Sequence, residues 1–213
     1  MADLVRTMHW PGGDIAEKEL LLTREWLITN GLGGYASGTV SGVLTRRFHG
    51  LLVAALPAPY GRRMMVNDLS DQIVFPGGKI AALGGEEKVN REPEVPGASY
   101  LREFRLEYGV PTWIYKVDDV TLEKRLLMIH KQNTVHINYR LYGDDCDVRL
   151  ELRPALNFRP HEGAVGMQLD EPYVVNIVDS RFAFSSGDAD TPALRALIHG
   201  RDAAFTYQPH YVQ

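Results

Sequence analysis

The run Arg46-Arg47-Phe48-His49 concentrates the side chains best suited to gripping a polar ligand. Each arginine offers five N–H donors in a fixed fork and stacks on flat rings, and histidine adds a donor or acceptor that depends on its tautomer. Such a set suits the hydroxyls and apolar faces of a sugar, or the surface of another protein domain. A solvated basic turn with one aromatic plug satisfies the same residues, and the sequence leaves both readings open. Upstream, Asn30-Gly31-Leu32-Gly33-Gly34-Tyr35 is richer in residues that tolerate positive φ than a simple turn needs. Either packing against the backbone or a ligand close to it would account for Asn30, Gly31, Gly33 and Gly34 together.

Gly31-Leu32-Gly33-Gly34-Tyr35-Ala36 formally fits the G-x-G-x-x-A dinucleotide fingerprint. That motif works only where a helix follows, because the helix N-terminus holds the pyrophosphate. Here Ser37-Gly38-Thr39-Val40-Ser41-Gly42 follows, and these residues are poor helix formers. The acidic residue expected about 20 positions later is also missing. No phosphate-binding P-loop is present, and no cofactor is expected.

Other reactive groups form no pattern. His9, His49, His130, His136, His161, His199 and His210 are scattered, and metal sites need ligands that converge in fixed geometry. His130 and His136 flank a turn without an evident carboxylate partner, and no metal is expected. Cys146 sits in Gly-Asp-Asp-Cys-Asp, where neighbouring acids raise a thiol's pKa and disfavour a nucleophilic thiolate. Ser37, Ser41, Ser185 and Ser186 lack a nucleophile-elbow pattern. A glycosidase needs two carboxylates about 5–10 Å apart, and spacing along strands does not identify such a pair. Asp118-Asp119 and Asp144-Asp145-Asp147 read as ordinary turn acids, so no catalytic residue is assigned.

The elements that must position these residues read as strands. Thr134 to Leu141 alternates, with Val135, Ile137, Tyr139 and Leu141 on one face, and Asp147 to Arg153 does the same through Val148, Leu150 and Leu152. Trp113–Val117 and Val120–Ile129 form a hairpin about Asp118-Asp119, and Lys131-Gln132-Asn133 turns into the next strand. Tyr100–Tyr108, Tyr173–Val178 and Phe182–Phe184 are further strands. Ala193–His199 fits either a short helix or a strand, and Asp202–Gln213 reads as a last strand. Gly77–Gly97, rich in Gly, Glu and Pro, reads as a surface excursion. No long amphipathic helix is evident, and strands without crossover helices favour antiparallel sheets. The expected fold is all-β, a large antiparallel β-sandwich with few or no long helices.

Bulk properties narrow the functional classes. The 213 residues suffice to bury a core. A net charge of −4 gives no broad case for nucleic acid or for an acidic membrane. The lone cysteine fits a reducing compartment, and the N-terminus shows no apolar signal core. No apolar run is long enough to cross a bilayer as a helix. A cytoplasmic location, with neither nucleic acid nor membrane as partner, is expected.

Thr29 to Ala54 (T-N-G-L-G-G-Y-A-S-G-T-V-S-G-V-L-T-R-R-F-H-G-L-L-V-A) resembles the opening domain of bacterial and archaeal-type glycogen debranching enzymes, the amylo-α-1,6-glucosidases. Phe48 stands where that family often has Tyr. Leu101–Phe104, Trp113–Val117, Val120–His130, Gln132–Val135 and Arg149–Pro154 follow the same family's pattern, so the resemblance covers most of the chain. It implies a β supersandwich of the galactose-mutarotase-like kind, continuing in the whole enzyme into an α/α-toroid that carries the catalytic carboxylates. It implies hydrolysis of α-1,6-linked glucose at glycogen or limit-dextrin branch stubs. Residues 1–213 would then be one non-catalytic domain, the N-terminal part of a longer enzyme, inactive alone and prone to self-associate through a face its partner half covers. On this reading Arg46, Arg47 and His49 hydrogen-bond glucan hydroxyls or catalytic-domain groups, and Tyr35 or Phe48 stacks. A free-standing carbohydrate-binding sandwich and a mutarotase-type sugar epimerase are the competing readings. Tight glycogen co-sedimentation of the chain alone would favour the first of these, and epimerase activity on free sugars the second.

Overall fold

The structure is a computed structural model that describes residues 5–10, 15–86, 92–143, 147–165, 172–187 and 191–206. In chain order the elements are β1 (Val5–His9), α1 (Ile15–Thr23), β2 (Glu25–Thr29), β3 (Tyr35–Thr39), β4 (Gly50–Ala55), β5 (Arg62–Val74), β6 (Ile80–Ala82), β7 (Leu101–Glu107), β8 (Val110–Val117), β9 (Val120–Met128), β10 (Val135–Tyr142), β11 (Arg149–Pro160), β12 (Val174–Val178), β13 (Arg181–Ser185) and β14 (Leu194–Leu197). They form a five-stranded sheet β1-β7-β8-β9-β10, a six-stranded sheet β11-β5-β4-β3-β2 with β6 also on β5, and a small sheet β12-β13-β14. Every pairing is antiparallel.

Apolar residues of the two large sheets face each other, giving the expected all-β sandwich. Trp26 of β2 meets Trp113 of β8 edge-on, with centroids 5.4 Å apart, and Phe104 of β7 packs on Trp113 at 5.1 Å. Both indole N–H groups find backbone acceptors: Trp26 Nε1 donates to Thr39 O (3.1 Å) and Trp113 Nε1 to Val40 O (2.9 Å). A buried indole needs such a partner, so these bonds fix the rings as well as satisfy them. Leu101, Tyr115, Val117, Val120, Leu122, Leu126 and Met128 add to the five-stranded sheet's share of the core.

Turn chemistry sets the register. Tyr108 and Gly109, at φ 51° and 80°, make the two-residue loop of the β7–β8 hairpin, and Asp118 at φ 53° opens the loop between β8 and β9. β10 alternates as expected through Val135, Ile137 and Tyr139. Leu141 departs from the pattern and is exposed, because the far end of this edge strand runs past the core.

Several elements differ from what periodicity implies. The nine-residue α1 escapes it, since Leu20-Leu21-Leu22 is a continuous apolar run rather than a stripe; Leu21 is fully buried and accepts a hydrogen bond from Ser41 N. β5 is the longest strand, yet Asn67, Asp68, Ser70 and Asp71 break its apolar alternation. Gly77–Gly97 is not simply a surface excursion. β6 pairs with β5, Ala81 and Leu83 are buried, and Gly97 lies so close to Leu83 O that a Cβ there would sit at 1.7 Å. Ala193–His199 resolves to a strand, β14. Residues 202–206 carry no strand, and the rest of that expected strand lies outside the described residues. Among the described residues no helix is long and apolar enough to cross a membrane.

Candidate functional site

The glycine-rich turn joins β2 to β3, and Asn30 is its pivot. Fully buried, Asn30 uses its side chain completely. Oδ1 accepts from Leu32 N (2.9 Å) and Gly34 N (3.0 Å), while Nδ2 donates to Gln132 O (2.9 Å) and Asn133 Oδ1 (3.0 Å). Asn133 in turn brackets Ala55 of β4, accepting from its N at 2.9 Å and donating to its O at 2.8 Å. Gly31 has φ 76°, and a Cβ there would meet the His130 ring at 2.6 Å. Gly34 has no room for a Cβ either, with Asn30 Nδ2 at 2.6 Å and Val53 O at 2.9 Å. Packing therefore accounts for Asn30, Gly31 and Gly34. A strand, β3, follows the turn where a dinucleotide site needs a helix.

The loop Arg46–His49 returns the chain to β4 and lies across β2 and β3. Arg46 Nε donates to Glu25 Oε1 at 2.5 Å. His49 is buried, with Nε2 3.7 Å from the same oxygen and Nδ1 unpaired. Burial pushes the His49 pKa below the ordinary imidazole value, further lowered by Arg46 and partly offset by Glu25. The Arg47 guanidinium lies over the Phe48 ring, 4.6 Å from its centroid. Tyr35 Oη donates to Phe48 O at 3.0 Å, and burial raises the Tyr35 pKa while Arg62 and Arg159 draw it back.

Beneath the loop lies Arg159 of β11, almost wholly buried. Its Nη2 donates to Arg47 O at 2.6 Å, and its Nη1 to the carbonyls of Pro160, His161 and Gly163. Desolvation lowers its pKa. A buried cation spent on backbone carbonyls fixes the loop to which they belong. His161 lies beside Phe48, with ring centroids 5.9 Å apart.

Together these elements frame an open cleft of about 490 Å³. Gly33, Tyr35, Arg46, Phe48 and His49 line it; Asn30, Gly31, Gly34 and Arg47 do not. Leu27, Phe48 and Arg62 are exposed at its surface, and Arg62 Nε donates to Gly33 O at 2.7 Å. Glu25 is the sole carboxylate among the described lining residues, and Arg46 already holds it. The lining thus combines the forked donors of Arg46 and Arg62, the Glu25 carboxylate, the hydroxyls of Thr29, Tyr35 and Ser37, and the ring and aliphatic surface of Phe48 and Leu27.

A family model for "Glycogen debranching enzyme N terminal" matches residues 24–213. The chain belongs to this family. Comparison with curated proteins and with solved structures returned no match. The family match begins just after α1 and contains every residue of the cleft. Within this debranching-enzyme N-terminal domain, Thr29–Ala54 runs from the last residue of β2 through β3 and into β4, and it contributes Thr29, Gly33, Tyr35, Ser37, Arg46, Phe48 and His49 to the cleft.

Of the remaining candidates, Ser37 lines the cleft and the other described ones do not. His130 and His136 are both exposed. Among the described residues, no three His, Cys, Asp or Glu side chains are grouped to hold a metal. Asp118 pairs with Lys79 at 2.5 Å. Ser37 Oγ donates to Phe48 O at 3.4 Å, and Ser41 pairs with Thr39. Cys146, Asp144, Asp145 and His210 lie outside the described residues. Sequence reasoning missed Glu25, Leu27, Arg62 and Arg159. Only Glu25 carried a local signal, as an acid one strand-pair away from a basic loop.

Proposed function

We propose that this chain is the non-catalytic β domain of a glycogen debranching glycosidase, that it packs on a catalytic half, and that its open cleft lines the path of the glucan. The cleft carries the proposal. It combines exposed Phe48 and Leu27 with the donors of Arg46 and Arg62, and its single carboxylate is already ion-paired. Glucose units present flat apolar faces and a rim of hydroxyls, which such a surface complements. The catalytic carboxylates belong, on this account, to the other half of the enzyme, where α-1,6-glucosidic stubs are hydrolysed. Val174, Val178 and Leu197, exposed on one face of the β12-β13-β14 sheet, suit the packing role.

The test is kinetic, in the full-length debranching enzyme carrying Phe48→Ala or Arg62→Ala. Both side chains are surface groups at the cleft. Loss of stacking or of one forked donor should lower kcat/KM on limit dextrin by roughly three- to thirtyfold, with KM rising and thermal stability little changed. Unchanged kinetics for both variants would refute the glucan-lining role.

A further inference from the structure

A second cavity, of about 270 Å³, lies between the two large sheets. Trp26 and Ser37 line both it and the open cleft, so the two spaces share a wall. β5 supplies Asp68 and Asp71 from one side, while β8 and β9 supply Trp113, Tyr115 and Lys124 from the other. The Asp71 side chain is 1% exposed. Its Oδ2 is doubly held, accepting from Lys124 Nζ at 2.7 Å and from Tyr139 Oη at 2.9 Å. Its Oδ1 is buried with no partner. A buried carboxylate oxygen without a donor is costly. The space beside this one is open: a Cβ on Gly84, which also lines the cavity, would sit 3.7 Å from Oδ1 and within 4 Å of nothing else.

These features define what would fit. Asp71 Oδ1 requires a donor. Lys124 has three donors and spends one on Asp71, so it calls for an acceptor nearby. Both tryptophan N–H groups are already bonded to carbonyls, leaving ring surface to face the cavity. Along the lining the acids Asp68, Asp71, Glu86 and Glu94 outnumber the cations Lys124 and Arg153, a balance that disfavours a phosphate or carboxylate. A small neutral ring bearing vicinal hydroxyls, each both donor and acceptor, meets all four demands. We propose that this intersheet cavity binds a single neutral hexopyranose, with one hydroxyl donating to Asp71 Oδ1. The choice of glucose as probe rests on the glucan reading above; the site itself rests on the unpaired oxygen and the space beside it.

The experiment follows the indole N–H resonance of Trp113, which lines the inner cavity and not the outer cleft, as glucose is added to the chain. Glucose should shift that resonance saturably, and glucose 6-phosphate should bind at least tenfold more weakly. Gly84→Ala places a methyl in ordinary contact with Oδ1, where the backbone has room for it, and should weaken glucose at least tenfold, as capping a polar group in a hydrogen-bonding site does. Phe48→Ala should leave the glucose response intact while weakening maltoheptaose. Absence of a saturable shift, as a cavity holding water alone would give, overturns the proposal. So does equal binding of glucose 6-phosphate, or an unchanged response in Gly84→Ala. Loss of maltoheptaose binding in Phe48→Ala without any glucose response would leave the outer cleft standing and remove the inner site.

Discussion

Asn30 commits its whole side chain to holding two turns together, one at 30–34 and one at 130–133. Asn30→Ala strands Leu32 N and Gly34 N and frees Asn133, and should cost about 2–4 kcal/mol by urea unfolding. A loss below about 0.5 kcal/mol would contradict that role. Asp68 gives a pH signature. Burial is the leading cause that raises its pKa from 3.8 to about 6, only partly offset by Lys124. The folded chain therefore binds this proton more tightly than the unfolded one. The associated stability is present below pH 3.8 and lost as pH rises through about 6. Asp68→Asn should thus stabilise the chain by about 1–3 kcal/mol at pH 7.5 and by much less at pH 4; equal effects at both pH values would contradict the shift. At this scale the sequence reveals residue types but not partners. Arg46 to His49 stand out because they adjoin one another. Arg62 and Arg159 do not, because Gly33 and Arg47, whose carbonyls they bind, lie far away along the chain. His49 lines the cleft while largely buried, and the sequence does not reveal its neighbour Glu25, whose Oε1 lies 3.7 Å from His49 Nε2.

Among the elements, the hairpins are the most legible because alternation and turn residues are local signals. β8, β9 and β10 fall within a few residues of their expected bounds. β5 is illegible for the reason that makes it interesting: a strand reads clearly when one face is apolar, and this one carries Asp68 and Asp71 toward the intersheet cavity. α1 hides in an apolar run too short to show a helical period. The β7–β8 turn also offers an element-scale test. Tyr108 holds φ 51° beside Gly109 at 80°, a pair of positive values that Asn-Gly adopts with less strain. Tyr108 is exposed, so Tyr108→Asn should raise stability by about 0.5–1 kcal/mol without disturbing the core. A decrease in the urea midpoint would show that Tyr108 contributes contacts this account omits.

Over the whole molecule, the two large sheets build a pair of adjoining spaces with different chemistry. The outer cleft is open, with cations and rings at its edge. The inner cavity is smaller, lined by more acids than cations, and shares Trp26 and Ser37 with the cleft. The family match, over residues 24–213, spans the described residues that line both. The glucan-lining claim is tested most directly by hydrogen exchange on the intact debranching enzyme, with and without saturating limit dextrin. Protection should appear in 25–29 and 33–50, the segments that frame the cleft, while β12-β13-β14 exchanges as before. Unaltered exchange across 25–50, with the enzyme saturated, would contradict the account.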